Sequence, residues 1–222
     1  MSAPEAPLPI IMPLGESGLL VRFASTLSDE ANRAAIAFAR QLRAGLPNGV
    51  TEIDPNLVSV LLKYEPAAVS FESLAGEVRL LLSAPVASSS TEPASHRVVV
   101  RFGGEAGPDL EAVAGALGMA PARFVETHNA SPLRVLTTGF APGFVYCGFH
   151  PEELRLPRRS SVRPPVPPGS VLFAAGQTAI TSTPIPTGWH VIGHTDFRNF
   201  DPAAEPPTSL EEGDSIVFEA TT

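Results

Sequence analysis

The sequence predicts an α+β protein in two parts: a small α+β N-terminal domain with helices on one face of a sheet, then a β-rich domain that closes as a barrel or sandwich. Three observations carry this. Up to residue 84, strand-like and helix-like patterns follow in the order β-α-β-β-α. The stretch "PVASSSTEPAS" at 85–95 is polar, rich in Ser and Pro and without periodicity, as a linker is. After residue 139 no amphipathic helix is visible, and short β runs are broken by Gly and Pro. The expected domains are residues 1–86 and 95–222.

Each element has its own signal. "GLLVRF" (18–23) reads as a strand. "SDEANRAAIAFARQLRAG" (28–45) reads as a helix: Ser28 is placed as N-cap, acids occupy the first turn, Ala31, Ala35, Phe38, Ala39 and Leu42 form a stripe, and Gly45 is placed as C-cap. "GVTEIDPNLVSVLLKY" (49–64) gives a short strand, a turn at Asp54-Pro55-Asn56 and a stronger strand at 57–63. "SFESLAGEVRLLLSA" (70–84) is a second helix, with Phe71, Leu74, Val78, Leu81 and Leu82 on one face. In the second part, 96–102 and 132–139 read as strands, and 107–119 and 120–130 as short helices. "GSVLFAAG", "QTAITST", "GWHVIG" and "DSIVFEA" are the later β runs.

Composition narrows the function. The chain has 222 residues, 44% of them apolar, enough for a core in each domain. Its formal charge is 15 − 23 = −8, and the only dense basic run is "RLPRRSSVR" (155–163). Binding to a nucleic-acid backbone is not expected, because it needs clustered Lys and Arg. Cys147 is the sole cysteine, so no disulfide forms within the chain. The N-terminal stretch lacks the charged and apolar regions of a signal peptide, and no apolar run approaches the roughly 20 residues that span a bilayer. A cytoplasmic location is therefore expected.

"GFAPGFVYCGF" (139–149) combines turn formers with aromatics. Pro142-Gly143 suits a turn, with Gly143 free to adopt positive φ. Phe140, Phe144, Tyr146 and Phe149 cannot all face water without cost. The segment reads either as a structural barrel corner or as a rigid loop whose backbone lines a binding cleft. On the second reading, Gly143→Ala keeps most of the stability and removes activity.

Other residues have paired readings. Arg158 and Arg159 follow Pro157. They are a preorganised fork for a carboxylate or phosphate, or a solvated pair. Gln177-Thr178 beside Gly176 could read a small amide, or cap a strand end. His190 and His194 are four apart, but on a strand that spacing is about 13 Å, too far to share one ion, so no metal site is expected. His194 remains a candidate for acid–base or hydrogen-bonding work. His128 lies near a helix C-terminus and is otherwise a dipole partner. Cys147 reads as a small apolar filler and Trp189 as a core anchor or a flat wall. "GGEAG" (103–107) before a helix is a weak anion-site candidate. No GxxxxGKS phosphate loop occurs.

"GFAPGFVYCGF", "LPRRSSVRPPVPPGSVLFAAGQTAI" and "PTGWHVIGHT", with "GGEAGPDLEAVA", "VETHNA", "FDPAAEPP" and "LEEGDSIVF", resemble the allophanate hydrolase subunit 1 family. That family includes 5-oxoprolinase B subunits, an inhibitor of a sporulation histidine kinase, and the carboxyltransferase part of urea carboxylases. The chain departs from it at Ala175 and Thr187, where the family often has Gly, and has His194 where Arg is the other common choice. The resemblance implies a cyclophilin-like β-barrel as the second domain and a hetero-oligomer with a subunit-2-type partner and a third, lactam-utilisation subunit. It implies an ATP-dependent 5-oxoprolinase, with ATP used by the complex, that opens the cyclic amide of 5-oxo-L-proline to L-glutamate. The alternatives are a regulatory protein inhibiting a histidine kinase and an allophanate or urea-carboxylase-type subunit. In the first reading His128 and His194 are the catalytic candidates, and Phe140, Pro142, Gly143, Tyr146, Arg158, Arg159, Gln177 and Thr178 the substrate-binding ones.

Overall fold

In the computed structural model, which describes residues 9–84 and 93–221, the chain divides into two units, residues 1–92 and 93–222. Segment 85–92, most of the expected linker, lies outside the described residues.

The first unit is built on the predicted helix. Ser28 caps α1 (Asp29–Ala44), its hydroxyl accepting from the Ala31 amide at 3.2 Å, and Gly45 closes it. Ser70 caps α2 (Phe71–Ser83) in the same way. The sheet runs β1 (Ile10–Leu14), β2 (Gly18–Arg22), β4 (Ser59–Tyr64), β3 (Val50–Asn56), all antiparallel. Leu19, Val21, Val60 and Leu62 alternate onto one face and meet Ala35, Phe38, Leu42, Leu74 and Val78 of the helices. This is the expected one-sided sandwich. The expected turn at 54–56 is not there: β3 continues through Pro55, and the turn comes at 57–58. Proline is tolerated because β3 is an edge strand, where a missing N–H breaks no ladder on the open side.

The second unit is a closed barrel of seven strands in the order β10-β7-β6-β13-β5-β12-β9. These are β5 (Ser95–Phe102), β6 (Leu133–Thr138), β7 (Val145–Gly148), β9 (Ser170–Ala174), β10 (Gln177–Ile180), β12 (His190–His194) and β13 (Ser215–Ala220). Only β13 with β5 is parallel. The short strands β8 (Arg163–Val166) and β11 (Ile185–Thr187) form a separate ribbon. Helices α3 (Leu110–Ala116) and α4 (Pro121–His128) are shorter than expected, and their Leu110, Val113 and Phe124 join the barrel core with Val98, Val100, Phe173 and Ile180.

Alternation along the strands makes two cores from one wall. Phe173 and Ile180 point into the barrel, whereas Leu172, Ala174 and Ala179 point outward and are covered by Val166, Ile185, Phe144 and Trp189. Both faces of β9 and β10 are therefore buried, and every residue of the two strands is shielded from water. Among the described residues no helix is long and apolar enough to cross a membrane.

Candidate functional site

The outward face of β7, β9, β10 and β12 carries a ladder of rings. Phe140 meets Phe144 edge-on at 5.3 Å, Phe144 meets Tyr146 at 4.7 Å, and Tyr146 meets Trp189 at 5.8 Å. The Arg158 guanidinium stands over the Trp189 ring, 5.5 Å from its centroid. Burial raises the Tyr146 phenol pKa against the opposing pull of Arg158, so the hydroxyl stays a donor at neutral pH. Gln177 shares this outward row, two residues before Ala179, which pairs with Tyr146. Its side chain is buried, and its amide nitrogen has no hydrogen-bond partner among the described residues.

The arginine pair is resolved by a residue fifty positions away. Asp109 takes Arg163 at 2.7 Å and Arg159 at 3.5 Å, and accepts from the Val191 amide at 2.7 Å. Arg159 therefore braces the loop, and its own amide donates to Gly188 O at 2.8 Å. Arg158 is exposed and makes no hydrogen bond or ion pair among the described residues. Of the two, Arg158 is the cation free to meet a ligand. The last glycine of "GGEAG", a weak anion-site candidate in the sequence, has a packing role. A Cβ on Gly107 would lie 2.0 Å from Ile192 O, so that glycine serves close packing onto β12. The carboxylate next to the short α3 is the protein's own Asp109.

Pro142 is exposed at the loop tip. Gly143 holds φ +68°, the positive value expected, but its open side is filled by protein: a Cβ there would lie 2.5 Å from Phe200 Cβ and 2.7 Å from Ser182 Cβ. The corner reading of "GFAPGF" fits Gly143, and the ligand-facing reading fits Tyr146.

The structure does not gather His128, Thr178 and His194 with these groups. Thr178 points into the barrel, where its Oγ lies 2.8 Å from Nε2 of both His128 and His150. All three side chains are buried. Desolvation lowers the His128 pKa to about 4, against a smaller upward pull from Asn129. Desolvation, with His128 beside it, pushes His150 down as well. His194 sits elsewhere: its Nε2 donates to Pro168 O at 3.0 Å, and its Nδ1 accepts from Arg101 at 3.1 Å. His190 Nε2 donates to Pro157 O at 3.1 Å. Among the described residues no group of three or more His, Cys, Asp or Glu could hold a metal ion.

Sequence reasoning missed His150, Asp109 and Arg163. No spacing rule marks any of them, since each acts with partners distant in sequence. Cys147 is fully buried, and desolvation raises its thiol pKa. The folded chain is expected to leave this thiol unmodified by a water-soluble disulfide reagent at neutral pH, and to react only after unfolding. Rapid labelling of the native chain would contradict the buried placement.

Comparison with known proteins agrees with this architecture. The carboxyltransferase domain, subdomain C and D, matches residues 9–210. The chain is 32% identical over 215 residues to the B subunit of the Bacillus subtilis 5-oxoprolinase, covering 92% of this chain and 90% of that one. The solved structure of TTHA0988 superposes with a TM-score of 0.80 at 33% identity. It covers 92% of this chain, which spans only 40% of that longer one. The K. lactis urea amidolyase, at 12% identity and a TM-score of 0.77, shares the fold. With its two-unit architecture, its barrel and its match over most of its length, the chain belongs to the carboxyltransferase-domain family, subdomain C and D, that includes the 5-oxoprolinase B subunits.

Proposed function

We propose that the chain is the B-type subunit of a cytoplasmic, ATP-dependent 5-oxoprolinase that converts 5-oxo-L-proline to L-glutamate. It would act with a subunit-2-type partner and a third, lactam-utilisation subunit. The relatives' name supports the reaction. One observation in this chain supports the substrate class. On a single outward face, an unpaired guanidinium stands over Trp189, which meets Tyr146, and the same row carries a buried amide N–H without a partner among the described residues. A five-membered lactam acid offers the complementary groups. Arg158 would take the carboxylate, Trp189 and Tyr146 the ring, and the Gln177 amide the lactam oxygen.

The chemistry explains the need for ATP. Resonance makes the lactam carbonyl a poor electrophile. Phosphoryl transfer to its oxygen makes the carbon reactive; one water adds there and the C–N bond opens to give a glutamyl phosphate, which a second water hydrolyses to glutamate and inorganic phosphate. This chain has no phosphate loop, so nucleotide handling and proton transfer would fall mainly to the partners.

The test is reconstitution. The chain alone is expected to give no turnover, and the three-component mixture to release glutamate and ADP from 5-oxoproline. Loss of a charged hydrogen bond, about 1.5–3 kcal/mol, predicts that Arg158→Gln raises KM by about 10- to 150-fold. Arg158→Gln with an unchanged KM would remove the carboxylate role. Robust turnover by the single chain would remove the shared site.

A further inference from the structure

A cavity of about 330 Å³ lies apart from the outer face, between α4 and the chain that follows β7. Arg123, Glu126 and His128 line one side, and Phe149, His150 and Glu153 the other. The two imidazoles are tilted by 38°, with centroids 4.6 Å apart. Neither the outer-face reading nor the relatives' names assigns it a task.

The hydrogen bonds behind this cavity run in one direction. The side-chain carbonyl oxygen of Asn129 can only accept, and it lies 2.6 Å from His128 Nδ1, so that nitrogen carries the proton. His128 Nε2 is then bare and accepts from the Thr178 hydroxyl at 2.8 Å. With its one proton donated, the Thr178 oxygen accepts from His150 Nε2, also at 2.8 Å. This leaves His150 Nδ1 as a bare acceptor. It has no partner among the described residues, on a side chain only 9% exposed. A fully closed network would end at a donor. This one ends at an unmet lone pair on a residue of the cavity wall.

The cavity sets the charge of the missing donor. Two carboxylates, Glu126 and Glu153, face one guanidinium, Arg123, which is held by Glu126 at 2.8 Å. An anion would meet excess negative charge and a lone pair. Phe149, 37% exposed, offers an apolar ring surface to a ligand's carbon end. We propose that this cavity binds a small primary ammonium, whose N–H donates to His150 Nδ1, whose charge is balanced by Glu153 and whose carbon end lies against Phe149. The buried chain through Thr178 and His128 keeps His150 neutral and its Nδ1 bare, which makes it a standing acceptor. The volume, at the low end of the roughly 300–1,000 Å³ of ligand pockets, suits a small metabolite.

The test uses the full chain, labelled with ¹⁵N, and follows the histidine ring nitrogens by NMR. Methylammonium chloride is expected to move the His150 Nδ1 resonance upfield in a saturable manner. Tetramethylammonium, with equal charge and no N–H, is expected to leave it in place at matched ionic strength. Glu153→Gln removes one rim charge and is expected to weaken methylammonium binding by about two- to fivefold. His150→Phe is expected to abolish it; if that variant does not fold, the wild-type titration and Glu153→Gln decide. No saturable shift, or an equal shift with tetramethylammonium, overturns the proposal. Neither outcome bears on reconstituted 5-oxoproline turnover, so the two proposals fail separately.

Discussion

Gly143→Ala is expected to lower the unfolding free energy of the barrel unit by about 2–5 kcal/mol: about 1–2 for an L-residue in the left-handed region and about 1–3 for overpacking. The backbone there is at φ +68°, and the added methyl would fall within 2.5 Å of Phe200 Cβ and 2.7 Å of Ser182 Cβ. Those atoms sit next to backbone and cannot swing aside. Ser182 is fixed further, donating to Gly143 O at 3.1 Å and accepting from the Asn199 amide at 2.9 Å. Gly139→Ala is the comparator. Gly139 is at φ +94°, yet nothing lies within 4 Å of its added Cβ, so only the conformational cost of about 1–2 kcal/mol should appear. Denaturant unfolding of both variants separates the two contributions. Equal losses would mean that the crowding at Gly143 relaxes freely. The sequence-based expectation, a stable but inactive Gly143→Ala, is thereby revised to a destabilised one, because the added methyl would meet Phe200 and Ser182.

What the sequence made legible divides along a physical line. Local chemistry was readable. Ser28 and Gly45 bound α1 because capping depends on a few neighbouring residues, and the one-sided stripe of Leu74 and Val78 on α2 depends only on periodicity. Pro55 was misread because its tolerance in a strand depends on β3 lying at a sheet edge, a tertiary fact. Strands β1, β8 and β11 escaped notice because each is short and contains proline, so their pairing comes from what they cover. The site follows the same rule. The two adjacent arginines read alike in sequence, and their division into a braced Arg159 and an unpaired Arg158 depends on Asp109, fifty residues earlier. Thr178 and Gln177 are adjacent in sequence, yet they face opposite sides of one wall and so belong to different sites. The family was legible because its motifs are long and ordered, not because any one of them dictates the chemistry.

The buried histidines make acid the second strong lever on this fold. Unfolding free energy is expected to fall by about 4 kcal/mol between pH 7 and pH 5, about 2 from each of His128 and His150. Both groups have folded pKa values below the ordinary value of 6.5, His128 at about 4. The unfolded chain therefore binds protons that the folded chain refuses. Stability from this source is intact above the unfolded value and is lost as pH falls toward the folded one. The cause is local and apolar. His128 is ringed by Phe102, Phe124, Phe173 and Phe218, with Asn129, Thr178 and His150 as its polar neighbours, and among the described residues no carboxylate hydrogen-bonds either imidazole to hold a proton. Exposed ion pairs act in the same direction but at lower pH: Arg97 and Arg101 hold Glu219 and Asp196 below the ordinary carboxylate range. The measurement is denaturant unfolding at both pH values, with the ring protons of His128 and His150 followed by NMR. Near pH 5 the pH slope should correspond to about two protons taken up on unfolding. A stability unchanged between the two pH values, or a His128 ring that protonates near its ordinary value in the folded chain, would show that water reaches His128 inside the barrel.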